Sequence, residues 1–192
     1  LIDNAVFEKT SAEDALNIIN SNFKISRLEF NEIASDAVDV DFGVGLINNA
    51  KFSIIGNDAI DLSGSNVTIK NINVDNVGDK IISVGENSLV NINHLRGFNS
   101  YIGLASKDGS VLKIKDLYLE NVILGLTAYQ KKKEYKGSEI HAENLNLRNS
   151  LVEYLHDDKS NIFINKEKVN SLNNDIVQIV YRKDLSTIKW TF

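Results

Sequence analysis

Residues 22 positions apart in this chain are chemically alike, and that regularity restricts the fold more than any other feature of its 192 residues. Ala15, Ala37 and Ala59 share one column, with Leu16, Val38, Ile60, Ile82, Leu104 and Leu126 in the next. The same step carries Ile25 to Ile47 to Ile69, Phe30 to Phe52 to Val74, and Ile33 to Ile55 to Val77. Self-similarity at a period of about 20–50 residues marks a solenoid, in which each repeat buries its apolar face against its neighbours.

Within a repeat the apolar residues alternate with a period of two. Val38 and Val40, or Ile72 and Val74, sit in short runs rich in Val, Ile, Phe and Thr, so these runs are strands. Three strands and three turns consume one repeat, and equivalent residues then stack at the ~4.8 Å spacing of hydrogen-bonded strands. Parallel strands joined by crossovers are right-handed in nearly all cases. The expected fold is therefore all-β, a right-handed parallel β-helix solenoid over residues 1–165, built from about seven coils, with capping strands over residues 166–192. A left-handed hexapeptide helix needs a shorter coil of about 18 residues, and the Leu-x-x-Leu-x-Leu-x-x-Asn pattern of leucine-rich repeats does not recur.

One step departs from the period. Leu117, Leu119 and Asn121 reappear as Leu145, Leu147 and Asn149, which places an insertion in Tyr129 to Ser138, reading YQKKKEYKGS. An insertion in a solenoid projects from one edge, so this lysine-rich segment is expected to be a solvated loop. After Asn165 the repeat fades, and Asp175 to Trp190 alternates like strands able to cover the last coil.

Proline and cysteine are both absent, which excludes disulfides, thiolate metal sites and a cysteine nucleophile. Turns must then be made by Gly, Ser and the 25 Asn residues. Asn tolerates the left-handed backbone and stacks in ladders between coils. The net charge of -5 and pI near 5.2 argue against nucleic-acid binding. Leu1 to Asn99 holds 14 acidic and 7 basic residues, whereas Ser100 to Phe192 holds 12 and 14, so one end of the rod is negative. No apolar run is long enough to span a membrane. Leu1 stands where an initiator Met would, in the middle of a repeat. The expectation is a piece of a longer polypeptide, exported or displayed at a cell surface, from which any signal peptide has been removed.

The candidate chemistry lies on one sheet. If Val38 and Val40 point inward, Asp39 and Asp41 point outward, as do Asp61 and Ser63 one coil later. The outward column runs Asn17, Asp39, Asp61, Ser83, Ala105, Thr127, with Asp14, Asp36, Asp58 and Lys80 at the strand entrance. Two carboxylates stacked ~4.8 Å apart repel by about 1 kcal/mol in water and by about 3–4 kcal/mol at an intermediate dielectric. Three things could offset that repulsion: a cation such as Ca²⁺ held by Asp36, Asp39, Asp58 and Asp61, a raised carboxylate pKa poised for acid or base chemistry, or hydrogen bonds from turn amides of the next coil. Lys107, Asp108, Tyr129 and Lys131 extend the same surface with basic and aromatic groups. His94, His141 and His156 share no column, show no ligand spacing and are expected at the surface or in turns.

The segments SDAVDVDF, GNDAIDLSG, GDKIISVGE and GLASKDGS resemble those of right-handed parallel β-helix repeat proteins, the pectin-lyase-like superfamily. The resemblance implies the β-helix fold and two kinds of activity. Some members are secreted lyases, hydrolases or epimerases of polysaccharides, and others are adhesins, spikes and scaffolds without catalysis. Neither the Gly-His-Gly nor the Arg-x-Lys motif of polygalacturonase-type members occurs here, and only the clustered Asp matches pectate-lyase-type members.

Two functions are therefore expected. The first is a non-catalytic module of an exported or surface-exposed bacterial protein, without direct membrane insertion and without a cofactor. It would bind polysaccharide or another surface protein through Asp39, Asp41, Asp61, Ser63, Ser83, Lys107, Asp108, Tyr129 and Lys131, or act as a rigid spacer. The second is a lyase or epimerase of uronate-containing polysaccharide, with an Asp-bound cation and Lys107 or Tyr129 moving the proton.

Overall fold

A computed structural model of the chain describes residues 1–171, 173 and 175–185. Thirteen strands form one continuous, mostly parallel sheet wound into a solenoid. They are β1 (Ile2–Glu8), β2 (Asp14–Ile19), β3 (Asn22–Ile33), β4 (Asp36–Asp41), β5 (Val44–Ile55), β6 (Ile60–Ser63) and β7 (Asn66–Gly85). There follow β8 (Leu89–Lys107), β9 (Val111–Tyr129), β10 (Glu139–Arg148), β11 (Val152–His156), β12 (Asn161–Ile164) and β13 (Glu167–Lys168), then one helix, α1 (Ile176–Arg182).

The columns foreseen in the sequence are hydrogen-bonded registers. Leu16 pairs with Val38, Val38 with Ile60, Ile60 with Ile82, Ile82 with Leu104 and Leu104 with Leu126. Their side chains fill the interior of the coil. Phe30 and Phe52 stack with centroids 5.0 Å apart and rings 2° from parallel, because one residue type repeated in one column has its neighbour directly above. Leu117 pairs with Leu145 and Leu119 with Leu147, so the insertion is absorbed without a break in the stack.

Each coil has three runs of strand. The first contains residues 36–41 and their equivalents, the second 44–48, and the third 50–53. Single residues in the left-handed region make the corners, among them Asn49, Asn76, Asn99, Asn121 and Asn149. Three of their side chains stack as expected: Asn121 Nδ2 donates to Asn99 Oδ1 at 3.2 Å, and Asn149 Nδ2 to Asn121 Oδ1 at 3.1 Å. A second ladder is internal. The Gly43, Ser65 and Ser88 amides donate in turn to the hydroxyls of Ser65, Ser88 and Ser110, which satisfies buried turn backbone from coil to coil.

Two expectations for the C-terminal segment are corrected. The segment beginning at Asp175 is not strand over residues 176–182, because Ile176, Ile179 and Val180 fall at i, i+3 and i+4 and form the buried stripe of α1. The helix lies on the flank of the coils instead of over the open end, packing on Tyr101, Ile102, Leu124 and Leu155. At the end itself β13 folds back antiparallel on β12, turned by Asn165 and Lys166, both with positive φ. Trp190 lies outside the described residues.

The insertion is tied down. Asp108 Oδ1 accepts from the Lys131 and Lys132 amides at 2.7 Å each, Asp157 Oδ2 accepts from the Gln130 amide at 2.6 Å, and the Lys132 ammonium pairs with Glu86. His156, expected at the surface, is 5% exposed and joins its coil to the C-terminal segment by accepting from the Ser171 amide at 3.3 Å.

Candidate functional site

The first run of every coil turns one set of side chains outward, and the register lines them up. Asp14, Asp36, Asp58, Lys80, Ile102, Leu124 and Val152 occupy one column. Asn17, Asp39, Asp61, Ser83, Ala105, Thr127 and Leu155 occupy the next. Both columns change chemistry midway, from acidic in the early coils to apolar in the late ones. The apolar half is where α1 sits, so the helix divides the sheet into a covered part and an open part.

Several residues proposed from the sequence as a binding surface are buried, Tyr129 by α1, Asp108 by the insertion and Ser83 beside Lys107. Ser83 and Tyr129 are fully buried and Asp108 is 1% exposed. Tyr129 lies under Tyr181 of α1, their hydroxyls 2.9 Å apart, and burial first, then Tyr181, raises its phenol well above the usual value. Lys131 remains exposed, its ammonium 4.4 Å from the Tyr181 ring centroid. Lys107 lies at the boundary, donating to Ser83 Oγ at 2.8 Å, with Asp61 Oδ1 3.7 Å away.

The four carboxylates proposed to hold a cation do not converge on one point. Asp36 Oδ1 accepts from the Asp58 amide and from Asn57 Nδ2, each at 2.7 Å, and Asp58 Oδ1 accepts from the Lys80 amide at 2.9 Å. The Asp58 side chain is buried against the Lys80 ammonium, 3.4 Å away, and Lys80 also pairs with Asp79. Burial pushes Asp58 up to about 7 while Lys80 pulls the other way. Burial also acts to deprotonate Lys80, but Asp58 and Asp79 overcome it and raise its pKa. Among the described residues, no three Asp, Glu or His side chains form a metal-holding group. These two carboxylates are coil-to-coil braces.

Asp39, Asp41, Asp61 and Ser63 form the open part and are partly exposed. Asp39 accepts from Asn17 Nδ2 at 3.1 Å, and it is pushed up to about 7 by burial and then by the Asp41 and Asp61 carboxylates. Burial, followed by Asp61 and Glu86, also raises Asp41. Asp61 Oδ1 is buried without a hydrogen-bond donor. The arrangement is a shallow acidic strip that accepts hydrogen bonds, with Asp39 able to keep its proton up to near neutrality.

Sequence reasoning missed Asp79, Asp157 and Tyr181, which complete these contacts. The apolar outward residues Ile102, Leu124 and Leu155 were the available signal, since an outward column that turns apolar calls for a covering element.

Comparisons of the chain with protein-family models, with curated proteins and with solved structures give no match. The class of the molecule therefore rests on its geometry, a parallel β-helix carrying a helix across one sheet. Among the described residues no helix is long and apolar enough to cross a membrane.

Proposed function

We propose that this chain is a non-catalytic β-helix module that binds polysaccharide or another surface protein along the acidic strip of Asp39, Asp41, Asp61 and Ser63, and holds that strip on a rigid rod. The reading takes up the resemblance of the repeats to the pectin-lyase-like superfamily, which includes non-catalytic members, and it implies an exported or surface location. One observation carries it: the groups that acid–base or cation chemistry would need are already engaged. Tyr129 is sealed under Tyr181, Lys107 is bound to Ser83, and Asp36 and Asp58 accept from amides of the next coil. A general base must reach its substrate proton; Tyr129 is sealed off from the open strip, and the Lys107 ammonium is held between Ser83 and the Asp61 carboxylate.

The strip is dominated by acceptor oxygens, which suits a partner rich in hydroxyl or ammonium donors. The test uses immobilised polysaccharides, neutral and acidic, with the intact chain and the Asp39→Asn/Asp61→Asn variant. Retention by the parent chain, weakened in the variant and without release of unsaturated uronides, is the expected result. Uronide release, or retention indifferent to both substitutions, would overturn the reading.

A further inference from the structure

Asp58 and Lys80 occupy one column, 22 positions apart, and both side chains are buried. The Lys80 ammonium lies 3.4 Å from Asp58 Oδ1 and 3.5 Å from Asp58 Oδ2. Being nearly equidistant from the two oxygens, Nζ stands opposite the carboxyl carbon that joins them. Groups fixed at about 3–3.5 Å need little further motion to react. An ion pair this deeply buried stabilises a fold little better than apolar side chains of the same volume, so stability alone does not account for it.

Two further groups complete the site. The Lys80 backbone amide donates to Asp58 Oδ1 at 2.9 Å, which gives that oxygen a fixed donor suited to negative charge developing on it. Asp79 pairs with the Lys80 ammonium through Oδ2, while its Oδ1 is buried without a hydrogen-bond partner. A buried polar atom left without a partner calls for an explanation. Here it adjoins an ammonium that has protons to give up. The Tyr181 ring of α1 lies 5.5 Å from Nζ on the same side of the sheet.

We propose that Lys80 and Asp58 join in an intramolecular amide, with Asp79 as the catalytic residue that moves the protons. Asp79 first relays one proton from Nζ to Asp58 Oδ2, which leaves a neutral amine facing a carboxylic acid. The nitrogen electron pair then forms a bond to Asp58 Cγ, and Oδ1 takes up the negative charge against the Lys80 amide. A second proton passes through Asp79 to Oδ2, the Cγ–Oδ2 bond breaks, and Oδ2 leaves as water. One proton stays on the amide nitrogen, Asp79 ends as it began, and nothing is oxidised or reduced.

The surroundings set the pace. Burial pushes Asp58 up to about 7 against the pull of Lys80, which favours the acid form that an amine can attack. Burial also works to strip the proton from Lys80, but Asp58 and Asp79 hold it there. The reaction is therefore slow, drawn from the minor neutral pair, and the ion pair persists until the bond forms. Fixing both groups in advance removes the entropy cost of bringing them together. Lys51 and Glu29, 2.9 Å apart on the surface, have no such enclosure and stay an ion pair in water. The amide ties two adjacent coils covalently, so the ring it closes survives unfolding.

The test is intact-mass spectrometry of the whole chain, kept folded near neutral pH over several days and then denatured. The expected mass is that of the sequence less one water, and fragmentation of a protease digest should place the branch between Asp58 and Lys80. Lys80→Arg keeps a cation opposite Asp58 and should abolish the deficit, whereas Lys51→Arg should retain it. Asp79→Asn should slow bond formation about a hundredfold or more, with the β circular dichroism of the parent chain. A parent chain that stays at full mass would overturn the proposal. So would a deficit that persists in Lys80→Arg, as dehydration between Asp108 and Gly109 would give, or a rate unchanged in Asp79→Asn.

Discussion

The hydroxyl of Tyr101 donates to the backbone carbonyl of Ile179, 2.7 Å away and 78 positions along the chain. The bond fastens α1 to the outer sheet. Lys183 adds a second fastening by donating to the Gly78 carbonyl at 3.2 Å while lying over the Tyr101 ring.

Truncation at the centre of that contact should loosen the helix. Ile179 is fully buried, so Ile179→Ala should cost about 2–5 kcal/mol locally, and Tyr101→Phe about 1 kcal/mol. Hydrogen exchange read by mass spectrometry should show lost protection in α1 and over Ile102 and Leu124, with the early coils unchanged. Uniform loss along the whole chain would contradict a separable latch.

The brace between Asp58 and Lys80 makes a different prediction. Lys80 is 3% exposed, and Lys80→Met would leave the Asp58 carboxylate buried without its cation. Denaturant unfolding should register a loss of about 3–5 kcal/mol, and the Asp58→Asn/Lys80→Met pair should recover part of it.

Stability should also depend on pH in a definite direction. Asp39 has a folded value of about 7 against 3.8 for the free group, so the native state holds more protons between those values. Its favourable contribution is complete at the acid end of that window and is lost as pH rises through it. Asp58 acts in the same direction. The thermal midpoint should therefore fall between about pH 4 and about pH 7, and Asp39→Asn should flatten the fall. A midpoint that rises with pH over this range would refute the assignment.

One corner residue is poorly suited to its place. Ile54 adopts φ of 55° and is 51% exposed, whereas Asn76 holds the same corner one coil later at 59°. A left-handed backbone costs a side chain such as Ile about 1–2 kcal/mol, and Asn tolerates it. Ile54→Asn should accordingly raise stability by about 1 kcal/mol in urea unfolding.

Much of this molecule was legible in the columns. Val38 over Ile60, Asp39 over Asp61, and the 28-residue step from Leu117 to Leu145 follow from periodicity alone. Parallel ladders leave only one way to stack equivalent residues. The character of the carboxylates was not legible, because Asp36 and Asp39 differ by whether a neighbouring amide reaches them. Nor was the approach of Arg96 and Arg148 to the Tyr118 ring, since Arg148 reaches it only after the insertion shifts the repeat count.

The amino-acid sequence by itself determined the solenoid, its register and the alternation of side chains within the strands, because those depend on a period repeated with every coil. Tertiary structure alone decided which outward residues are open to a partner. The helix that covers Ile102, Leu124 and Tyr129 reaches them from another part of the chain, through contacts made once and at no fixed spacing. A periodic pattern carries no record of such contacts, so exposure on this sheet became visible only when α1 was seen lying across it.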